Sequence, residues 1–244
     1  EVMYEEGIDP RKDTKLHTVC IGAEPHSEEQ RKRIEQLLGV KAYNCFGMSE
    51  MNGPGVAFEC TEQNGLHIWE DNVIVEIVYP VTLQPVPEGE VGELVLTTIN
   101  REAMPLLRYR TRDLTCILPG DCPCGRTHKR LARFKGRSDD MIILKGVNLF
   151  PIQIEKILMQ FKELGSNYLI TLETIGNSDE MLIEVELSDL FTDDYSALQR
   201  LTKGITRQLK DELLLTPRIK LVAKGSLPTT DGKAVRVKDH RKLC

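Results

Sequence analysis

No uninterrupted apolar run in these 244 residues approaches the roughly 18 needed to cross a bilayer, so no membrane partner is expected. Basic charge is not in surplus either. The 32 Lys and Arg against 37 Asp and Glu leave a formal net charge of −5 and a pI near 5.7. That balance excludes a broadly basic face for nucleic acid, though local patches stay open. Internal repeats and low-complexity tracts are missing, which sets aside solenoids and biased linkers. No leader pattern opens the chain. The seven cysteines are an odd number scattered over a long sequence, which suits a reduced cytosol better than a disulfide framework. What remains is ordinary globular composition, 41% hydrophobic and 28% charged, and a length that allows one large domain or two modest ones.

The sequence opens on Glu1, and 2–13 show neither a capping signal nor a strand start, so the chain is expected to begin part-way into a fold. The first clear unit is an apolar stretch at 16–21, a turn at Gly22-Ala23-Glu24-Pro25, and a helix. Ser27 and Gln30 announce that helix in capping-box register, and Gly39 stops it. Short strands follow at 40–45, 73–78, 92–98, 115–118 and 140–144, with a loop dense in Gly, Cys and Arg between the last two. Beyond Gly136 the pattern becomes strand 141–144, helix 152–161, and strands 168–173 and 181–187. Tyr195, Leu198, Leu201, Ile205 and Leu209 then recur at three or four residues, one face of a helix that Pro217 ends. A strand at 219–223 precedes a polar tail. The expected fold class is α/β and α+β, with a sheet-rich domain at 1–136 and a small α+β domain at 137–244.

Four segments carry chemistry. In Tyr43-Asn44-Cys45-Phe46-Gly47-Met48-Ser49-Glu50 a strand runs into a glycine turn that offers an aromatic for a base, a hydroxyl for a phosphate and a carboxylate for Mg²⁺. An ordinary polar turn is the competing reading. The second, 107–114, gathers Arg108, Arg110 and Arg112 around Asp113, and a solvated charged loop would look the same. The third, 136–140 with 144–148, has the small residues that suit a hinge. The fourth, 227–233, would present Lys233 from a turn to an anion, although one loop lysine is usually just surface.

In this order and at these separations the four segments resemble the acyl-adenylate-forming ligases, most closely the phenylacetate–CoA ligases, with 43–60 the most specific stretch. The resemblance implies the C-terminal part of a large AMP-binding domain plus a small mobile C-terminal domain, hinged near Asp139. Such enzymes join a carboxylate to ATP, release pyrophosphate, and pass the acyl group from AMP to the sulfur of CoA. By the same resemblance Gly22, Ala23 and Glu24 border the acyl pocket and adenine, while Asn44 and Phe46 contact adenine. Ser49 would contact phosphate, Glu50 would hold magnesium, Asp113 would take the ribose hydroxyls, and Arg137 would lie by ribose and phosphate. Lys145 and Gly146 would approach the CoA thiol, and Lys233 would place a fixed positive charge at the substrate carboxylate and α-phosphate. No nucleophilic side chain is required, because the substrate carboxylate attacks phosphorus. The implied partners are a small aromatic carboxylic acid, ATP and CoA, in the cytoplasm, with a homodimer left open. The family's Ser/Thr/Gly-rich phosphate loop has no counterpart here. This chain, as a truncated piece or a split gene product, is therefore not expected to complete the reaction alone.

Cys60, His67, Cys122 and Cys124 form a separate set of soft and borderline donors, and Cys122-Pro123-Cys124-Gly125 resembles one half of a tetrahedral zinc site. A C-x-C is weaker evidence than paired C-x-x-C motifs. Unrelated thiols, or one disulfide, are the alternatives, and His128 rivals His67. A closed four-ligand zinc would pin loops near the hinge rather than activate water. Cys20, Cys45, Cys116 and Cys244 read as structural or incidental, and His17, His26 and His240 as surface residues. Two further readings stay open: adenylylation of another acceptor such as a deazaflavin cofactor, and a non-catalytic zinc-stabilised nucleotide-binding module. A zinc-ribbon nucleic-acid binder fits worst, given the negative charge.

Overall fold

Residues 2–13 are not featureless, contrary to the sequence reading: they form two single helical turns, α1 (Val2–Glu5) and α2 (Pro10–Asp13). Asp9 caps the second by accepting the Arg11 N–H at 3.1 Å, and Pro10 brings a fixed φ to its first position. The computed structural model describes residues 2–24, 26–51, 53–176, 178–188, 195–228 and 234–241. Lys233 and Cys244 lie outside them. The 16–21 run supplies β1 (Thr18–Ile21). Helix α3 (Glu28–Leu38) starts where Ser27 Oγ accepts the Gln30 N–H at 3.1 Å, and it ends where the Gly39 N–H reaches Glu35 O at 2.9 Å. Strand β2 (Lys41–Met48) runs parallel to β1 and continues three residues beyond the expected end.

The chain divides into two units, one of Glu1–Pro25 with Arg31–Asp139, the other of His26–Gln30 with Asp140–Cys244. In the first, the chain continues as β3 (Gly53–Glu59), β4 (Leu66–Ile68), β5 (Val73–Val78), β6 (Gly92–Thr98), β7 (Tyr109–Thr115), β8 (Ile117–Leu118), β9 (Arg130–Leu131) and β10 (Gly136–Arg137). These build a six-stranded sheet of order β1-β2-β3-β4-β9-β8 and a four-stranded sheet of order β10-β7-β6-β5. Val56, Leu66, Ile68, Leu94, Leu96 and Leu131 form its core, each at most 1% exposed. The segment 107–114, for which a solvated loop was one reading, is mostly strand. The β-branched and apolar residues of β6 give it a partner to pair with, Leu96 against Tyr109 and Gly92 against Thr115.

The second unit begins with a hairpin of β11 (Ile142–Leu144) and β12 (Val147–Leu149), followed by α4 (Pro151–Leu158), β13 (Leu164–Ile175), β14 (Ser178–Leu187), α5 (Tyr195–Leu213), β15 (Arg218–Val222) and β16 (Val237–Asp239). Its sheet runs β15-β14-β13-β16, antiparallel at the centre and parallel at both edges. The heptad-like stripe places Leu201, Ile205, Leu209 and Leu213 inside, against Ile154, Ile157 and Leu158 of α4. Edge strand β16 falls in what the sequence suggested was a polar tail; its main chain pairs with β13, and Val237 packs against the core of the unit. The mixture of sheet and helix is α/β in class, and among the described residues no helix is long and apolar enough to cross a membrane.

Candidate active site

β1 and β2 approach so closely where β1 ends that a Cβ on Gly22 would lie 2.5 Å from the Cys45 carbonyl oxygen and 2.7 Å from its sulfur. Only glycine fits there, and the chain then turns outward through Ala23 in a left-handed conformation (φ 69°) to exposed Glu24. A non-glycine residue held in that conformation carries strain, which recurs at functional turns. On β2 Asn44 is buried, and Phe46 packs on Phe134 with ring centroids 4.5 Å apart. A single 3₁₀ turn, Ser49–Met51, then exposes the Ser49 hydroxyl and half-buries Glu50.

β7 supplies the other side of the site. Its first residue, Tyr109, donates its hydroxyl to Glu50 Oε1 at 3.4 Å, and Asp113 stands directly opposite Arg137 of β10 with N to O at 3.8 Å. Burial first, and then the charge of Glu50, pushes the Tyr109 phenol above its usual range, so it stays a donor; Asp113 and Arg137 act on it with opposite signs. Arg137 forks onto Asp139 at 2.9 and 2.8 Å and holds that carboxyl below the usual carboxylate range. Behind this surface Glu93 is fully buried. It takes a bidentate pair from Arg110 (2.7 Å twice) and the Ser138 hydroxyl at 3.3 Å. Tyr109 and Glu93 were not singled out from the sequence. A tyrosine six residues before the expected strand at 115–118 and one of three glutamates in 88–93 carry no local signal; only the strand pairing reveals them.

The third group belongs to the same unit. Cys60, His67, Cys122 and Cys124 place their ligand atoms within 4.8 Å of one another, three of the four side chains being buried. Cys60 Sγ is 3.7 Å from Cys122 Sγ, and Cys124 Sγ is 3.5 Å from His67 Nε2. Tetrahedral zinc with bonds of about 2.3 Å to sulfur and 2.0–2.1 Å to nitrogen requires S···S of about 3.8 Å and S···N of about 3.6 Å, which these two spacings match, and the remaining donor pairs lie within 4.8 Å. Cys60, Cys122 and Cys124 are free thiols, not a disulfide. His128 is not in the set: its ring stands edge-on to His67 at 6.5 Å and to Trp69 at 6.0 Å. Burial, then Arg126, lowers the His67 pKa toward the neutral ligand form. Burial raises the Cys60 thiol, whereas the Arg126 backbone N–H, with help from its side chain, holds Cys124 down to about 7. Buried Arg130 secures both ligand loops at once, donating to Asn64 O at 2.9 Å and Gly120 O at 3.0 Å.

In the second unit Lys145 and Gly146 form the two-residue turn between β11 and β12, both with positive φ (51° and 80°), as a hairpin turn of this length demands. The Lys145 ammonium rests on Glu180 at 3.2 Å. Of the sequence-derived site residues, the structure thus gathers Glu50, Asp113, Arg137 and Asp139 around Tyr109 and β10, and the four metal donors around one point. Of the outlying histidines His17 and His240 are exposed and His26 half-buried.

Residues 146–241 match the family model described as the AMP-binding enzyme C-terminal domain. The chain is 41% identical to the phenylacetate-coenzyme A ligase of Thermus thermophilus over 99% of its own length and 58% of that protein's, and 43% identical to that of Pseudomonas putida over 97% and 53%. It thus spans a little over half the length of these curated relatives. Among solved structures, a 2-hydroxyisobutyryl-CoA ligase in a postadenylation state superposes with a TM-score of 0.90 at 31% identity, covering 98% of this chain and 51% of that one.

Proposed function

From the premise that the chain belongs to the adenylate-forming CoA ligases, beside the phenylacetate–CoA ligases, we propose that it supplies the nucleotide-binding surface and C-terminal domain of an AMP-forming aryl-acid–CoA ligase. The reaction would be arylacetate, ATP and CoA going to aryl-acetyl-CoA, AMP and pyrophosphate. The observation that carries this is strand β7, which sets Tyr109 against Glu50 at one end and Asp113 opposite Arg137 at the other.

On this reading the Asp113 carboxylate accepts the ribose hydroxyls, with Arg137 beside it to meet phosphate; Asn44 and Phe46 line the base, and the exposed Ser49 hydroxyl donates to a phosphate oxygen. The Tyr109 hydroxyl keeps Glu50 aimed by donating to it. A magnesium ion on Glu50 would offset charge on the leaving pyrophosphate. Lys233 is assigned the charge at the α-phosphate and the substrate carboxylate, Lys145 and Gly146 the approach to the thiol, and Asp139 the pivot. Gly22, Ala23 and Glu24 are assigned to the acyl and adenine border. Zinc held by Cys60, His67, Cys122 and Cys124 would be a closed structural site, tying two loops together. The relatives named are CoA ligases, which favours thioester formation over adenylylation of a deazaflavin. A cytoplasmic location and a homodimer belong to the same reading.

The direct test is ATP–pyrophosphate exchange by the longest polypeptide that carries this sequence, with phenylacetate, its hydroxylated analogues and no acid. Exchange that depends on phenylacetate is expected; exchange indifferent to every aryl acid would overturn the substrate assignment. Asp113→Ala should weaken AMP binding by roughly tenfold or more, since a charged hydrogen-bond acceptor is lost. Calorimetric titration with AMP checks it, and an unchanged Kd would remove Asp113 from the site.

A further inference from the structure

The two side chains that flank the first metal donor both reach back to the nucleotide strand. Cys60 follows Glu59, the last residue of β3. The β2–β3 register pairs Cys45 with Phe58, so Glu59 falls opposite Asn44, and its Oε2 accepts the Asn44 N–H at 2.7 Å. That carboxylate is only 4% exposed, with Arg133 at 4.0 Å. On the other side of Cys60 the chain turns, with the Gln63 N–H on Cys60 O at 3.0 Å and Gln63 in a left-handed conformation (φ 50°). This turn aims the Gln63 amide at β2, where Nε2 donates to Ala42 O at 2.9 Å and to Glu35 Oε1 at 3.0 Å. Glu35 Oε1 in turn accepts the Ala42 N–H at 2.9 Å and a guanidinium N–H of Arg31 at 3.2 Å.

Three main-chain groups of β2, at Ala42 and Asn44, are therefore bound by side chains, two of them from the residues on either side of Cys60. Ala42 and Asn44 lie where β2 runs past its last pair with β3, Cys45 against Phe58, so these side chains stand in for the missing ladder partners; each one makes the position of Asn44 and the following Phe46 depend on where the Cys60 turn sits. That turn is fixed in its own right by the four-donor cluster and by Arg130. The connection is short, buried at Glu59 and half-buried at Gln63, and made of polar groups that are costly to leave unpaired.

We propose that Glu59 and Gln63 are positioning residues that couple occupancy of the Cys60–His67–Cys122–Cys124 metal site to the geometry of the nucleotide strand β2. Zinc then supports AMP binding at a distance, without touching the nucleotide. The proposal rests on the nucleotide and zinc assignments made above, and its test separates their failure from its own.

The experiment is AMP titration of the 244-residue chain, with metal content measured on every sample. In Glu59→Ala the zinc content should hold at about one per chain while the Kd for AMP rises roughly tenfold, the scale of one lost charge-assisted hydrogen bond. Glu59→Gln keeps an acceptor oxygen and should return the Kd to within about twofold of the parent. Ile77→Val, a core change in the same unit at a residue assigned to neither site, should lower the melting temperature and leave the Kd alone. Stripping zinc from the parent chain should raise the Kd by a factor similar to that of Glu59→Ala, and stripping the variant should add little, because the two changes cut one connection. An unaltered Kd in zinc-replete Glu59→Ala, or losses that multiply in the stripped variant, would overturn the coupling while leaving both sites standing. A zinc-loaded parent that binds no AMP would overturn the nucleotide assignment, and a parent that retains no zinc the metal assignment, with the coupling falling in either case.

Discussion

Purified from zinc-containing medium, the chain is expected to carry about one zinc ion per molecule, and Cys122→Ser to lose most of it together with a substantial part of the first unit's stability. Sulfur and nitrogen atoms already stand at 3.7 and 3.5 Å, the spacings a tetrahedral ion imposes, and few arrangements of three thiols and an imidazole reach that by accident. A ligand that binds only the folded state stabilises it by about 2.7 kcal/mol at a hundred times its Kd, and for a unit of this size that is roughly 6–10 °C in melting temperature. Zinc content by atomic spectroscopy and melting curves with and without chelator provide the check. His128→Ala should leave the metal in place, because its ring is a packing neighbour of His67 and not a donor. Loss of zinc in that variant, or full zinc in Cys122→Ser, would redraw the ligand set.

Glu93→Ala should be among the most damaging single substitutions in the first unit. The carboxylate is fully buried and its bidentate partner Arg110 is 29% exposed, so truncation leaves that guanidinium with the Pro80 carbonyl but no counter-charge and strands the Ser138 hydroxyl. Breaking a buried pair on one side costs about 3 kcal/mol or more, enough to shift the folded population more than a hundredfold. Glu93→Gln, which keeps an acceptor for Ser138 and one for Arg110, should lose distinctly less. The pH dependence follows from direction. Burial would raise the Glu93 pKa, but Arg110, then Arg112, outweigh it and leave the folded value below 4.5. The stabilisation is thus complete above about 4.5 and is lost as pH falls through the lower folded value. Glu155 in the second unit works the other way. Burial raises its pKa despite the hydroxyl of Tyr168 at 3.2 Å, so the folded state prefers its protonated form and that contribution fades as pH rises. Denaturant unfolding of parent and Glu93→Gln from pH 3 to 7 should show the acid limb flattened in the variant; superimposable acid limbs would contradict the assignment.

The elements that could be read from sequence are those whose signal is local. Ser27 and Gln30 marked a cap, Leu201, Ile205 and Leu209 marked a buried helical face from which Tyr195, read with them, is absent at 76% exposed, and the β-branched runs at 73–78 and 92–98 became strands with the expected bounds. β9 and β10, two residues each, could not be read, since they owe their existence to partners far along the chain. β7 was hidden by its arginines, because a charge-dense stretch resembles solvent-facing loop until Glu93 is known to lie behind it. The C-x-C knuckle pointed to zinc but could not choose between His67 and His128, which differ in strand pairing and not in local spacing. Glu59 and Gln63 were invisible for the same reason: neighbours of a cysteine acquire meaning only once β2 is laid beside them.

Strands β5, β6 and β7 pair with one another as a meander, yet in the chain they stand between β4 and β9, which are neighbours in the other sheet. Cys60 and Cys122, 62 residues apart, bracket that insertion, so the kinetics of folding inherit an order. The meander closes through the local connections 79–91 and 99–108, whereas the β4–β9 pairing must wait until the intervening residues have doubled back, a closure that long-range pairing makes slow. An ion gripping both brackets joins the two ends of that loop directly. Its presence should therefore show first in the rate at which the six-stranded sheet completes itself, before any change is seen in the meander it encloses.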